Sequence, residues 1–217
     1  MKEKAHLNVA TTNWKNFFRQ MIGLPKVFPV KIERTAKAQQ YPLIDIKKEG
    51  DVGYDLPCIE DVTIIAPTAG QRARYEMYMQ KANRLRQSCN GVMSKSDFDF
   101  YDQEIKRLEA EAMACLPHTV IPTGIKLEMP NNIWCTLCAR SSTSNRLLIT
   151  PDSIIDAGYR GEMFAVVFNL GYTDLHVKAG ERLVQIIFHE RTLAQMIEVD
   201  KVGTSQRGTS GFGSTGA

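Results

Sequence analysis

The carboxy-terminal stretch Arg207-Gly208-Thr209-Ser210-Gly211-Phe212-Gly213-Ser214-Thr215-Gly216 carries groups suited to an anionic ligand. Its four glycines let the backbone bend tightly and bring N–H groups close to a phosphate. Arg207 supplies a planar fork of donors that matches phosphate oxygens, and Ser214 and Thr215 add hydroxyls. Phe212 is out of place in a plain linker, and its ring offers a face on which a nucleobase stacks. The segment therefore reads as a clamp for a nucleoside triphosphate. Taken alone it is weak evidence, because a Gly/Ser-rich terminus is more often simply disordered. Four other short segments stand out upstream: Gly53-Tyr54-Asp55-Leu56, Ala139-Arg140-Ser141-Ser142, Ile155-Asp156-Ala157-Gly158-Tyr159-Arg160-Gly161-Glu162 and Gly180-Glu181-Arg182-Leu183-Val184-Gln185.

These segments need elements to position them, and the pattern divides the chain unequally. Residues 1–26 form an extension. Within it Trp14, Phe17, Phe18 and Met21 fall at helical spacing, Thr11 or Thr12 is placed to cap, and Gly23 and Pro25 stop the helix. Its one apolar stripe is expected to pack on its own subunit, with another subunit or a partner as the alternative. Residues 27–204 read as a β domain. Phe28-Pro-Val-Lys-Ile-Glu alternates as a half-buried strand, and Asp61–Ala66 reads as another. From Pro117 to Glu190, Pro, Gly and Asn punctuate short strands, which suggests a jelly roll or barrel. The last residues, 205–217, form a flexible Gly-rich tail.

Residues 67–116 interrupt the β pattern. Gln71–Ser88 place Tyr75, Tyr78, Met79, Ala82 and Leu85 on one helical face. After a turn at Asn90-Gly91, Ser96 is placed to cap a second helix striped by Phe98, Tyr101, Ile105, Leu108 and Ala112. The first helix is basic and the second acidic, so an antiparallel hairpin would bury both stripes and align opposite charges. Exposed ion pairs add little, which leaves most of the stability to the stripes.

Composition excludes several classes. A net charge of +3 does not give the strongly basic face of a nucleic-acid binder, yet suits a small anion. No apolar run approaches a membrane span and the first ten residues do not read as a signal peptide, so a cytoplasmic protein is expected. The five scattered cysteines do not read as a disulfide framework. Cys135-Thr-Leu-Cys138 has zinc-like spacing but no second pair. On a strand its two cysteines would point to opposite faces, so packed, reduced thiols are the better reading.

Together and in order, the five segments resemble the five motifs of the trimeric dUTPases, over about two-thirds of the chain. The resemblance implies a mainly β, dUTPase-like jelly roll of the β-clip type, with the helical hairpin and the short N-terminal helix added. It implies hydrolysis of dUTP to dUMP and pyrophosphate by water attack at the α-phosphorus. It also implies Mg2+ and a homotrimer with three active sites at subunit interfaces. Carried over by motif, Asp156 orients and activates the water, work for which a carboxylate is suited. Arg140 holds Asp156, while Ser141, Ser142 and Gln185 meet the phosphates. Asp55 helps hold magnesium through water, the ion being held mainly by the triphosphate. Tyr159 lies under the deoxyribose and excludes a 2′-hydroxyl, and the hairpin containing Ser153 reads uracil. Arg207, Gly213, Ser214 and Thr215 close over the γ-phosphate, with Phe212 stacked on the base.

Some positions depart from the family pattern. Ser142 and Ser210 stand where glycine is usual, and Pro151-Asp152-Ser153 is more polar than a glycine-rich turn. A carboxylate at Asp152 would accept a hydrogen bond from an exocyclic amine, as carboxylates do with cytosine. The related dCTP deaminases need a glutamate where Val166 stands, and valine cannot shuttle protons. Another dNTP pyrophosphatase is an alternative of the same kind. The helical insertion 67–116 has no counterpart in the compact pattern, which leaves open a regulatory or protein-binding module on the same fold.

Overall fold

The structure, a computed structural model, describes residues 9–23, 26–45, 48–89 and 95–205. In chain order its elements are α1 (Val9–Met21), β1 (Lys31–Arg34), a 3-10 turn at Ala38–Gln40, β2 (Gly53–Pro57) and β3 (Val62–Ile64). There follow α2 (Ala69–Ser88), α3 (Lys95–Ala114), β4 (His118–Pro122), β5 (Ile125–Glu128), β6 (Ile133–Ala139) and α4 (Ser141–Ser144). The chain then forms β7 (Leu148–Ile149), β8 (Ser153–Ile155), β9 (Phe164–Asn169), β10 (Leu175–Val177) and β11 (Arg182–Glu190).

The strands pair antiparallel in a four-stranded sheet β2-β11-β6-β8, a three-stranded sheet β4-β9-β7, and the pairs β1-β5 and β10-β3. Long-range neighbours such as β2 beside β11 make this a wrapped fold, not a meander. One core takes side chains from all four: Leu56, Leu137 and Ile186 from the large sheet, Ile121 and Val167 from the second, Ile125 and Val177 from the pairs. Each is at most 1% exposed, and such full burial of a Leu, Ile or Val stabilises by roughly 1.5–3 kcal/mol. The expected jelly-roll type of fold is therefore present.

Along β6 the alternation is complete. Ile133, Cys135 and Leu137 are buried, while Trp134, Thr136 and Cys138 face the other way, half-buried. Cys135 and Cys138 thus lie on opposite faces, which removes the zinc reading. Burial pushes the Cys135 thiol up to about 12. Of the predicted strands, burial alternates from Phe28 onward, but ladder pairing with β5 begins only at Lys31. The strand expected over 61–66 pairs only at Val62–Ile64.

Between β3 and β4 the chain leaves the β domain for the helical hairpin. Thr68 and Gln71 form a reciprocal capping box that starts α2 two residues before the expected Gln71. Tyr75, Tyr78, Met79, Ala82 and Leu85 turn inward on α2, and Tyr101, Ile105, Leu108 and Ala112 on α3. Phe98 departs from its stripe and is 40% exposed. The charges align less than the pattern suggests. Arg86 pairs with Glu109 across the hairpin, whereas Arg107 pairs with Glu104 and Glu111 along α3 itself. The Asn90-Gly91 turn lies outside the described residues. Arg72 fastens the hairpin to the β domain: its guanidinium donates to the carbonyls of Leu170 and Gly171 and stacks 4.1 Å over the Tyr172 ring.

The amino-terminal expectation needs correction in two respects. The helix begins at Val9, so Thr11 and Thr12 are inside it and do not cap it. Of its stripe, Trp14 at 63%, Phe17 at 54% and Met21 at 68% are exposed and not packed on their own subunit. Among its described side chains the buried one is the polar Asn16, whose side-chain carbonyl accepts a hydrogen bond of 2.8 Å from the Val27 amide. That bond ties the helix to the start of the β domain. No helix among the described residues is long and apolar enough to cross a membrane.

Candidate active site

The site begins with a fault in a strand ladder. Between Arg182 and Val184, β11 slips against β2: Arg182 faces Pro57 and Val184 faces Leu56. One extra residue, Leu183, is accommodated as a bulge, a device that often re-aims groups beside a functional site. The Leu183 carbonyl accepts from the Arg140 amide at 3.1 Å and from the Thr143 hydroxyl. The Arg182 carbonyl accepts from Arg140 Nη1 at 2.8 Å. The bulge thus anchors the turn after β6, which leaves Ser141 and Ser142 exposed at the start of the short α4. Gly180, at φ 94°, makes the turn into β11 and closes a pair of 2.7 Å bonds with Cys58 through its own amide and the Glu181 carbonyl.

Asp55 and Gln185 face each other across β2 and β11. Arg140 Nε lies 2.6 Å from Asp55 Oδ1, and Arg182 Nη1 lies 3.9 Å from Oδ2. Asp55 thus lies between two guanidiniums, and Asp45 lines the same cleft beside Arg182. Gln185 Nε2 donates to the Ala139 carbonyl at 3.1 Å, and its second N–H remains to serve a ligand. Arg182 was not among the residues singled out in the sequence. It stands inside the quoted Gly180–Gln185 segment, where it was given no role, and strand alternation gave no sign that it would reach Asp55.

The expected contact of Arg140 with Asp156 is not made within the subunit, because Arg140 is turned to Asp55. The sheet register gives the reason. Extending the β6-β8 pairing one step sets Asp156 opposite Trp134, four residues along β6 from Cys138, the partner of Gln185. That is about 14 Å of strand rise plus two strand spacings, about 10 Å, far beyond hydrogen-bond reach. Asp156 instead lines an open pocket with Trp134, Asn131, Ile154 and Arg191. Its neighbour Tyr159 is 45% exposed and donates its hydroxyl to the Glu162 carbonyl at 3.0 Å. Its ring lies over Gly161, where an added Cβ would come within 2.4 Å of the Tyr159 hydroxyl oxygen. Ser153 is half-buried in β8, opposite Leu137. Arg207, Phe212, Gly213, Ser214 and Thr215 lie outside the described residues.

The motif residues thus fall into two groups on one sheet, Asp55, Arg140 and Gln185 in one and Asp156 and Tyr159 in the other. A family model described as dUTPase matches residues 104–216, just over half of the chain. The chain belongs to the dUTPase family. It is 33% identical over 123 residues to the deoxyuridine 5'-triphosphate nucleotidohydrolase of Fowlpox virus (strain NVSL), covering 55% of this chain and 79% of that one. It is 27% identical over 170 residues to the protein of the same name from Mus musculus, covering 74% and 99%. Among solved structures, the dUTPase of Staphylococcus bacteriophage 80alpha superposes with a TM-score of 0.61 over 88% of this chain and 100% of that one, at 17% identity. A dUTPase from phage phi11 of S. aureus gives 0.53 at 14% identity. At such identities these likenesses establish the fold alone.

Two details bear on the alternatives within this fold. Val166, the residue weighed against a deaminase in the sequence, lies half-buried in β9. The nearest glutamate, Glu162, is engaged elsewhere, accepting a 2.8 Å bond from the Gly124 amide. As for a metal, no group of three or more His, Cys, Asp or Glu side chains among the described residues could hold one. Asp55, paired to Arg140, fits a contact through water to an ion that arrives with its ligand, which is how magnesium commonly binds beside phosphates.

Proposed function

We propose that the chain hydrolyses dUTP to dUMP and pyrophosphate, in the cytoplasm, removing dUTP from the pool available to DNA synthesis and supplying dUMP for thymidylate. The observation that carries this is the gathering of Asp55, Arg140, Ser141 and Gln185 at one end of the large sheet in a chain of this family. The arginines and the Gln185 amide bind the phosphates there, with the exposed Ser141 and Ser142 hydroxyls beside them. Asp156 orients a water toward the α-phosphorus and accepts its proton as the P–O bond to pyrophosphate breaks. Tyr159 lies against the deoxyribose face, leaving no space for a 2′-hydroxyl. Ser153 and its hairpin face the base. Mg2+ bound to the triphosphate offsets its charge when present, with Asp55 in contact through water. The tail from Arg207 closes over the nucleotide, with Gly213, Ser214 and Thr215 on the γ-phosphate and Phe212 on the base, and excludes bulk water.

The separation of Asp156 from Gln185 supports a homotrimer. A neighbouring subunit brings its own Asp156 and Tyr159 to the Asp55–Arg140–Gln185 group, and Arg140 then reaches an Asp156 that is not its own. The division into an extension (1–26), a β domain (27–204) carrying the hairpin (67–116), and a closing tail (205–217) belongs to the same proposal.

The test is a panel of nucleoside triphosphates with magnesium, with pyrophosphate and ammonia both assayed. Pyrophosphate from dUTP is the expected product, and release from dCTP as well would give Asp152 a role in reading the base. Ammonia would indicate deamination, and no product from any nucleotide would overturn the proposal.

A further inference from the structure

Gly53 opens the first of the five motifs, and its backbone does not explain why glycine is there. It lies in β2 opposite Ile187, outside the left-handed region that favours glycine. What explains it is the side chain on the next strand. A Cβ added at Gly53 would lie 2.0 Å from Gln185 Oε1, 2.8 Å from its Cδ and 3.5 Å from its Cγ. The Gln185 carboxamide therefore rests directly on the bare Cα of Gly53, diagonally across the ladder. From that seat its Nε2 reaches the Ala139 carbonyl. The amide is held between two neighbouring strands, by a hydrogen bond on the β6 side and by a missing methyl on the β2 side.

We propose that Gly53 is a positioning residue, whose absent side chain fixes the orientation of the Gln185 carboxamide toward the substrate phosphates. This rests on the reading of Gln185 as a phosphate contact. The atoms that a methyl would strike are the far end of a flexible side chain, so the Gly53→Ala backbone can keep its strand. The crowding is relieved by swinging the carboxamide away and losing the bond to Ala139. The substitution is thus mild for folding and damaging for the site. Misplacing a substrate-binding group by about 1 Å can cost up to about 100-fold in rate.

The experiment is a double-mutant cycle on the full-length protein with dUTP and magnesium, comparing Gly53→Ala, Gln185→Ala and the double variant. Gly53→Ala is expected to lower kcat/KM by about 10-fold or more, with the same division between kcat and KM as Gln185→Ala and a nearly unchanged Tm. In the double variant, Gly53→Ala adds no further loss, because the group it displaces is gone. Equal losses from Gly53→Ala in both backgrounds would overturn the proposal. Wild-type rates in Gln185→Ala would instead remove Gln185 as a phosphate contact, and the proposal with it. A crystal structure of Gly53→Ala reads the geometry without any catalysis, so it separates this proposal from the assignment of dUTP hydrolysis. A carboxamide swung off Ala139 supports the proposal, and one that has not moved refutes it.

Discussion

Along one four-stranded sheet, the Asp55–Arg140–Gln185 group and the Asp156–Tyr159 turn are built in opposite ways. The first is knit together inside the subunit: a bulge at Leu183 anchors the Arg140 turn, Arg140 holds Asp55, and Ala139 holds Gln185. The second is a tight turn whose carboxylate lines an open pocket and whose tyrosine hydroxyl bonds to its own loop. On the proposed function, a preformed polar group and an open carboxylate, well separated in one chain, are the two halves of a site that a second copy completes.

The largest expected effect comes from the open half. Asp156→Asn should lower kcat by about 100-fold to 10,000-fold, the usual worth of a general base, while nucleotide affinity and oligomeric state hold. Near-normal turnover would assign the base elsewhere. Mixing sharpens the comparison further. Asp156→Asn and Arg140→Ala are each expected to be nearly inactive as pure assemblies. Unfolded together and refolded, they should regain roughly a quarter of wild-type activity, because an interface between different patches pairs one intact half from each variant. Failure to recover activity would mean that both halves of a site come from the same chain. The smallest effect belongs to the hairpin. Arg72→Ala removes its fastening to the Leu170 and Gly171 carbonyls and should raise amide exchange in α2 and α3, with kcat/KM unchanged. A loss of activity would tie the hairpin to the site.

How much of this was legible in the sequence varied with the kind of information needed. The hairpin was, with α2 starting two residues early and Ser96 inside α3 instead of capping it, because two helical stripes facing each other are a local pattern that packing reinforces. The strand alternation of β6 was also legible, and with it the inertness of Cys135 and Cys138. The two halves of the site were not. Motif order along the chain says nothing about where residues fall along paired strands, and that register alone separates Asp156 from Gln185. Arg182 was missed because a bulge, which no alternation announces, decides where its side chain goes. The N-terminal helix misled in another way. Its stripe promised burial, but Trp14, Phe17 and Met21 are exposed, and the polar Asn16 is the residue that bonds to the Val27 amide.

One contact also supplies an optical handle. The indole of Trp134 stacks on the His189 ring, centroids 4.2 Å apart, and lines the pocket that holds Asp156. The chain has only one other tryptophan, Trp14, far away in sequence on the N-terminal helix. With Trp14→Phe, all remaining indole emission comes from the wall of the pocket that Asp156 lines, where the proposed function puts the neighbouring subunit. Subunit docking and nucleotide arrival then become colour changes, readable in a stopped-flow cuvette on the unlabelled protein.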